Sequence, residues 1–165
     1  MNTFTIQDMK DFSNYICECA NIDAAELFEE WYAEKNKPAK KVIDLSVLID
    51  SQIDCEFYNR GNTSYIAKLE TIIPSRDDGA FVYINDKGLY WDRCQPRMNH
   101  KHAWQGDKCP LPEGFMVNAW MRGAKTTESR LCTDLRWNHT GGLMDIMYFE
   151  VLRVADGYVM PWESE

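Results

Sequence analysis

DAAELFEEWYAEKNKPAKKVIDLSVLI (Asp23–Ile49) changes its hydrophobic period halfway along, and that change sets the fold class to expect. In the first half Ala24, Leu27, Phe28, Trp31 and Tyr32 recur at i, i+3, i+4, i+7 and i+8, the stripe of an amphipathic helix. Asp23 suits the N-cap, Lys35 and Lys37 suit the negative C-terminal end, and Pro38 stops the helix. Beyond Pro38 the period becomes two: Ile43, Leu45, Val47 and Ile49 alternate with polar or outward positions, as a half-buried strand requires.

Outward from this stretch the same division holds. Toward the N-terminus, Thr5 and Asp8 have capping-box spacing, and Ile6, Met9, Tyr15, Ile16 and Cys19 form the approximate stripe of a first helix. Toward the C-terminus the pattern is of strands. Ile53, Cys55 and Phe57 alternate, and Asn59–Asn62 turns the chain into Tyr65–Ile73. Phe81–Ile84 and Leu89–Trp91 flank a hairpin turn at Asn85–Gly88. Residues 92–114, with three prolines and two histidines, read as a long ordered loop; strands resume at Phe115–Met121, Leu131–Trp137, Asp145–Val154 and Tyr158–Met160. The expected class is α+β, with a helical segment at 1–37 followed by a mostly antiparallel, β-barrel-like body at 38–165. With an offset of 62, Ile53–Gly61 aligns on Phe115–Gly123, so the body also reads as two tandem β modules, 42–91 and 112–163, joined by a loop at 92–111.

The 165 residues carry 18 Lys+Arg against 26 Asp+Glu, a formal charge of −8. Such a chain lacks the basic surface with which general nucleic-acid binders displace counterions, and an anionic membrane is disfavoured for the same reason. Residues 1–37 hold eight acids and three bases, a net of −5, whereas the remaining 128 residues are nearly balanced at −3. The acidity therefore sits on the helices, where Asp23, Glu26, Glu29, Glu30 and Glu34 form a candidate surface for a partner with basic character. A solvated helix face has the same composition. Trp104 and Trp162 flank loops and are candidate anchors for a protein partner. No direct nucleic-acid partner and no membrane is expected.

One cluster has the residue types of a metal site. Cys94, His100, His102 and Cys109 fall within 16 residues, and on an extended segment His100 and His102 would point to one side and share a zinc ion. The spacing contains no Cys-x-x-Cys knuckle, and Trp91, Pro96, Met98, Trp104 and Pro110 fit a packed loop with hydrogen-bonded imidazoles equally well. The alternative function is accordingly a zinc- or small-ligand-binding module. His139 with Asp134 or Asp145, near Cys132, could be arranged as a nucleophilic site, but no local motif demands it, and the expectation is of a protein that is not an enzyme. The start Met1–Thr5 lacks the basic and apolar regions of a signal peptide, so the six cysteines (Cys17, Cys19, Cys55, Cys94, Cys109, Cys132) are expected to be reduced, mostly buried residues of a cytoplasmic protein.

Two stretches resemble segments of accessory, non-virion proteins of tailed phages and prophages. They are Arg93-Cys94-Gln95-Pro96-Arg97-Met98-Asn99-His100-Lys101-His102-Ala103-Trp104 with Cys109-Pro110-Leu111-Pro112-Glu113-Gly114, and Trp137-Asn138-His139 with Asp145-Ile146-Met147-Tyr148-Phe149. The ending Ala155-Asp156-Gly157 to Pro161-Trp162-Glu163 is similar as well. The resemblance spans roughly residues 43–72 and 91–163 and leaves out the acidic helices. It implies a non-virion protein acting in the bacterial cytoplasm. Taken with the appended acidic helices, it leads to the expectation of a protein that binds a host defence or nucleic-acid-metabolism factor and modulates or inhibits it, the carboxylates either imitating nucleic acid or forming only a solvated face. It carries over no catalytic residues.

Overall fold

Thr5 and Asp8 begin the first helix as their spacing predicts. The Asp8 carboxylate accepts the Thr5 backbone N–H at 2.8 Å and the Thr5 hydroxyl, and Thr5 Oγ1 accepts the Asp8 N–H at 3.2 Å. The computed structural model describes residues 5–18, 24–59, 64–75 and 80–164. The chain divides into two units, Met1–Ala39 and Lys40–Glu165. In the first, α1 (Ile6–Glu18) and α2 (Ala24–Lys35) meet through aromatic rings: Phe12 lies edge-on to Phe28 at 5.0 Å and 5.3 Å from Trp31. Asp11 and Lys35 close the pair at 3.0 Å. Phe12, and not Met9, makes the contact; Met9 is 63% exposed. The expected cap Asp23 and the stripe residue Cys19 lie outside the described residues.

In the second unit the alternating run Ile43–Ile49 is not a strand. Only Lys41–Val42 (β1) is extended; Asp44 Oδ1 then accepts the Ser46 N–H at 3.0 Å, which folds the backbone into a turn and starts the short helix α3 (Val47–Ser51). Ile43, Leu45 and Leu48 are still buried, because turn and helix together bring those three to one side. The strands that follow are β2 (Cys55–Tyr58), β3 (Ser64–Ala67), β4 (Leu69–Pro74), β5 (Phe81–Asn85), β6 (Tyr90–Trp91), β7 (Arg93–Pro96), β8 (Lys101–Ala103), β9 (Phe115–Met121), β10 (Thr126–Leu131), β11 (Ile146–Val154) and β12 (Tyr158–Val159). They form four sheets, ordered β1-β12, β3-β2-β7, β4-β5-β6 and β10-β9-β11-β8. All pairings between these strands are antiparallel except β1 with β12.

None of these sheets closes on itself, so the body is not the expected barrel. The strands are short, and the longest pairing, β9 with β11, is interrupted by two irregularities that bend the ladder. The stretch Tyr65–Ile73 is two strands in two sheets, broken at Lys68, whose carbonyl accepts the Asp86 N–H at 3.0 Å. The supposed loop at 92–114 contains β7 and β8, which join different sheets. The strand expected at Leu131–Trp137 ends at Leu131, and Cys132–Asp134 form a 3-10 turn; the polar edge strand before it, Thr126–Leu131, carries no apolar alternation.

Strands β2 and β9 occupy equivalent places. Each is a central strand with its hairpin return on one side and a later antiparallel strand on the other. The pairs Tyr58↔Ser64 and Phe57↔Tyr65 shift by 62 onto Trp120↔Thr126 and Ala119↔Thr127. Buried Ile53, Cys55 and Phe57 likewise shift onto buried Phe115, Val117 and Ala119. The match stops at a bulge in β10, where Ser129 (φ 47°) donates its N–H to Asn118 Oδ1 at 2.9 Å. Residues 60–61 of the sequence alignment lie outside the described residues. Residues of both halves share one continuous core: Phe57, Cys94, Val117, Phe149 and Val151 belong to it, and each large buried side chain contributes about 1.5–3 kcal/mol.

Candidate functional site

The four residues of the suspected zinc site go to three places. Cys94 Sγ packs beside Cys55 in the β2–β7 pair, and burial with that contact pushes its thiol pKa up. Cys109 pairs instead with Cys132: the hydrogen bond between the two thiols pushes the Cys109 pKa up and lowers that of Cys132. His100 and His102 do stay together, with ring centroids 5.1 Å apart. Among the described residues no group of three or more His, Cys, Asp or Glu is placed to hold a metal ion. Strand pairing causes the separation, because β7 belongs to the β2 sheet and β8 to the β11 sheet.

The segment instead helps line a groove. A cavity of about 440 Å³ is bordered by Ser51, Asp54, Lys68, His100, His102 and Gln105, among others. On its floor His102 is buried, stacked on Phe149 at 5.0 Å, and its Nε2–H donates to the Arg97 carbonyl at 3.0 Å. That bond leaves Nδ1 as the basic nitrogen, and burial lowers the ring's pKa so that the neutral form is favoured. Asp54 pairs with Lys68 at 2.8 Å, which holds its carboxyl below the usual range.

Trp104 and Trp162 are partly buried and make contacts within their own chain. Trp104 donates Nε1–H to the Trp137 carbonyl at 3.0 Å and packs edge-on against Trp137 and Phe149. Trp162 lies edge-on to Tyr83 at 5.9 Å, with neighbouring Met160 buried, so the apolar C-terminal stretch docks on this body. On α2, Glu29, Glu30 and Glu34 are exposed while Leu27 and Trp31 are buried, and Glu34 is paired with Lys37 at 2.8 Å. The side chain of Glu26 and all of Asp23 lie outside what the structure describes.

One surface was missed in the sequence. In the sheet β4-β5-β6, Ile72, Tyr83 and Trp91 face the core, as alternation requires. The opposite face carries Ile73, Val82, Ile84 and Tyr90, with Ile73↔Val82 and Ile84↔Tyr90 as cross-strand pairs. Tyr90 is 65% exposed. Continuous apolar runs such as Ile72-Ile73 and Phe81–Ile84 were the signal, since a strand with one solvated face alternates and one covered on both faces does not.

His139, Asp145 and Cys132 all hydrogen-bond to backbone groups. His139 Nε2 is bonded to the Ile146 carbonyl at 2.6 Å, and Cys132 Sγ to the Pro112 carbonyl at 3.2 Å. Asp145 is fully buried and accepts N–H groups from Thr140 at 3.0 Å and Gly141 at 2.8 Å, bonds that lower its pKa. Compared with protein-family profiles, curated proteins and solved structures, the chain matches none. No helix among the described residues is long and apolar enough to cross a membrane.

Proposed function

We propose that this chain is a non-virion accessory protein of a tailed phage or prophage that acts in the bacterial cytoplasm by binding a host protein and modulating or inhibiting it. The observation that carries the reading is the outward face of β4-β5-β6: Ile73, Val82, Ile84 and Tyr90 make an apolar surface of the kind that partners cover. The exposed carboxylates of Glu29, Glu30 and Glu34 support a host partner with a basic surface, such as a defence or nucleic-acid-metabolism factor whose channel attracts phosphate-like charge.

The test uses the full chain as bait in host lysate, identifies the captured protein by mass spectrometry, and measures its affinity with purified components. Two variants accompany it, I73T/Y90S on the sheet and E26Q/E29Q/E30Q/E34Q on the helix. Both are expected to weaken binding at least about tenfold. Unchanged affinity of the helix variant alone would exclude nucleic-acid mimicry and leave the sheet as the interface. Unchanged affinity of both would overturn the reading.

A second reading, a small-ligand module, is favoured by the groove over His102. Zinc held jointly by Cys94, His100, His102 and Cys109 is not part of it, since those groups do not converge. A ligand-induced rise in Tm that His102→Gln abolishes is the expected sign.

A further inference from the structure

Arg122 and Arg136 both approach one buried carboxylate. Arg122 follows β9, Arg136 follows the 3-10 turn, and each brings a terminal nitrogen to 3.5 Å from a different oxygen of Asp145. Those oxygens are already satisfied at closer range: Oδ1 takes the Thr140 N–H at 3.0 Å and its hydroxyl at 3.3 Å, and Oδ2 takes the Gly141 N–H at 2.8 Å. Asp145 thus attracts the two guanidinium groups without using up their N–H donors. Both side chains remain about half exposed, 45% and 51%.

The loop that carries Asp145 is itself fixed. Arg122 N donates to the Asp145 carbonyl at 2.9 Å, Gly123 N to the Leu143 carbonyl at 2.8 Å, and the His139 ring fits over Gly106, where a Cβ would lie 2.4 Å from its Cγ. Arg122 and the turn that carries Asp145 are therefore anchored to each other through the backbone. With one carboxylate between them the two guanidinium groups keep a net charge of +1, in a chain whose total is −8.

We infer that Arg122 and Arg136 form an oxyanion clamp for a phosphate monoester, with Asp145 as the positioning residue that holds both guanidinium groups. The chemistry selects the ligand. A carboxylate has two oxygens and one charge, which a single planar fork satisfies. A phosphate monoester has three terminal oxygens and a charge near −2, which calls for two forks. The buried Asp145 meets no ligand, because the backbone of Thr140 and Gly141 covers its oxygens. Inorganic phosphate and the terminal phosphate of a nucleotide share this chemistry.

The experiment is isothermal titration of the full chain at low ionic strength, in a phosphate-free buffer, with inorganic phosphate, adenosine monophosphate, dimethyl phosphate and acetate as probes. Saturable one-to-one binding of inorganic phosphate is expected, with acetate and dimethyl phosphate at least about tenfold weaker. R122Q and R136Q should each weaken phosphate about tenfold, and the double variant should abolish binding with its Tm retained. R122K/R136K keeps both charges and loses the forks, so it should also bind at least about tenfold more weakly even if the glutamine variants fail to fold. Tighter binding of the nucleotide than of free phosphate places its base against the neighbouring surface, and equal affinity places only the phosphoryl group; both support the clamp. A response that stays linear to about 20 mM, or wild-type affinity in R122K/R136K, overturns it.

Discussion

His102 shows how an imidazole of metal-ligand type becomes part of a core. Its ring is stacked on Phe149, donates to the Arg97 carbonyl, and faces His100, Asp54 and Lys68. Burial lowers its pKa in the folded chain, so the unfolded chain binds a proton first as pH falls. Stability contributed by the neutral ring is complete above the unfolded value near 6.5 and is lost progressively below it, until the lower folded pKa is reached. Urea melts from pH 7.5 down to 5 should show this loss, at no more than about 1.4 kcal/mol per pH unit from this one group. His102→Gln, which can still donate to Arg97, should flatten that part of the profile, and an unchanged slope would place the proton elsewhere. Gly106 is a second sensitive point. It has φ +91°, and an added Cβ would overlap the His139 ring, so Gly106→Ala should cost about 1–3 kcal/mol in the same melts. The residue types of the four suspected ligands were legible in the sequence. Their separation was not, because it depends on which sheet each short strand joins.

At the scale of elements, legibility followed hydrophobic alternation. Phe115–Met121 is legible to the residue because Phe115, Val117 and Ala119 alternate with Met116, Asn118 and Trp120. The hairpin at Asn85–Gly88 was found because its turn is local: Asn85 Oδ1 accepts the N–H groups of Lys87 and Leu89, both at 3.0 Å, and Gly88 takes φ +72°. At Ile43–Ile49 the same signal misled, since a single Asp44–Ser46 hydrogen bond turns an alternating run into a helix start. Thr126–Leu131 carries no such signal, because an exposed edge strand needs no apolar residues. The sheet β4-β5-β6 is where an element-level prediction belongs. Ile73 and Tyr90 point away from the core, so I73T/Y90S should change the free energy of unfolding by less than about 1 kcal/mol while lowering partner affinity. A large loss of stability would show that this face is packed in the isolated chain, and would remove it as an interface.

For the whole molecule, the question is whether the repeated hairpins unfold together. Phe57 and Phe149 lie in different sheets yet in one core, so Phe57→Ala and Phe149→Ala should each cost about 3–5 kcal/mol and shift the same thermal transition of the β unit. Two separate transitions, each sensitive to one substitution, would instead mean two modules. The repeat was readable as a shift of 62 in the sequence; the shared core was not, because it is made by side chains distant along the chain. The pairing of β1 with β12 carries a consequence for how this unit is made. Lys41 and Val42 find their strand partners only at Tyr158 and Val159, and Ile43 N–H bonds to the Val159 carbonyl at 3.0 Å. During synthesis the first strand of the unit must therefore wait, unpaired, until almost all of it has left the ribosome. Folding of this unit is tied to the synthesis of its last strand, and a chain that stops a few residues before Tyr158 would leave the core unsealed and Lys41–Ile43 open to proteases.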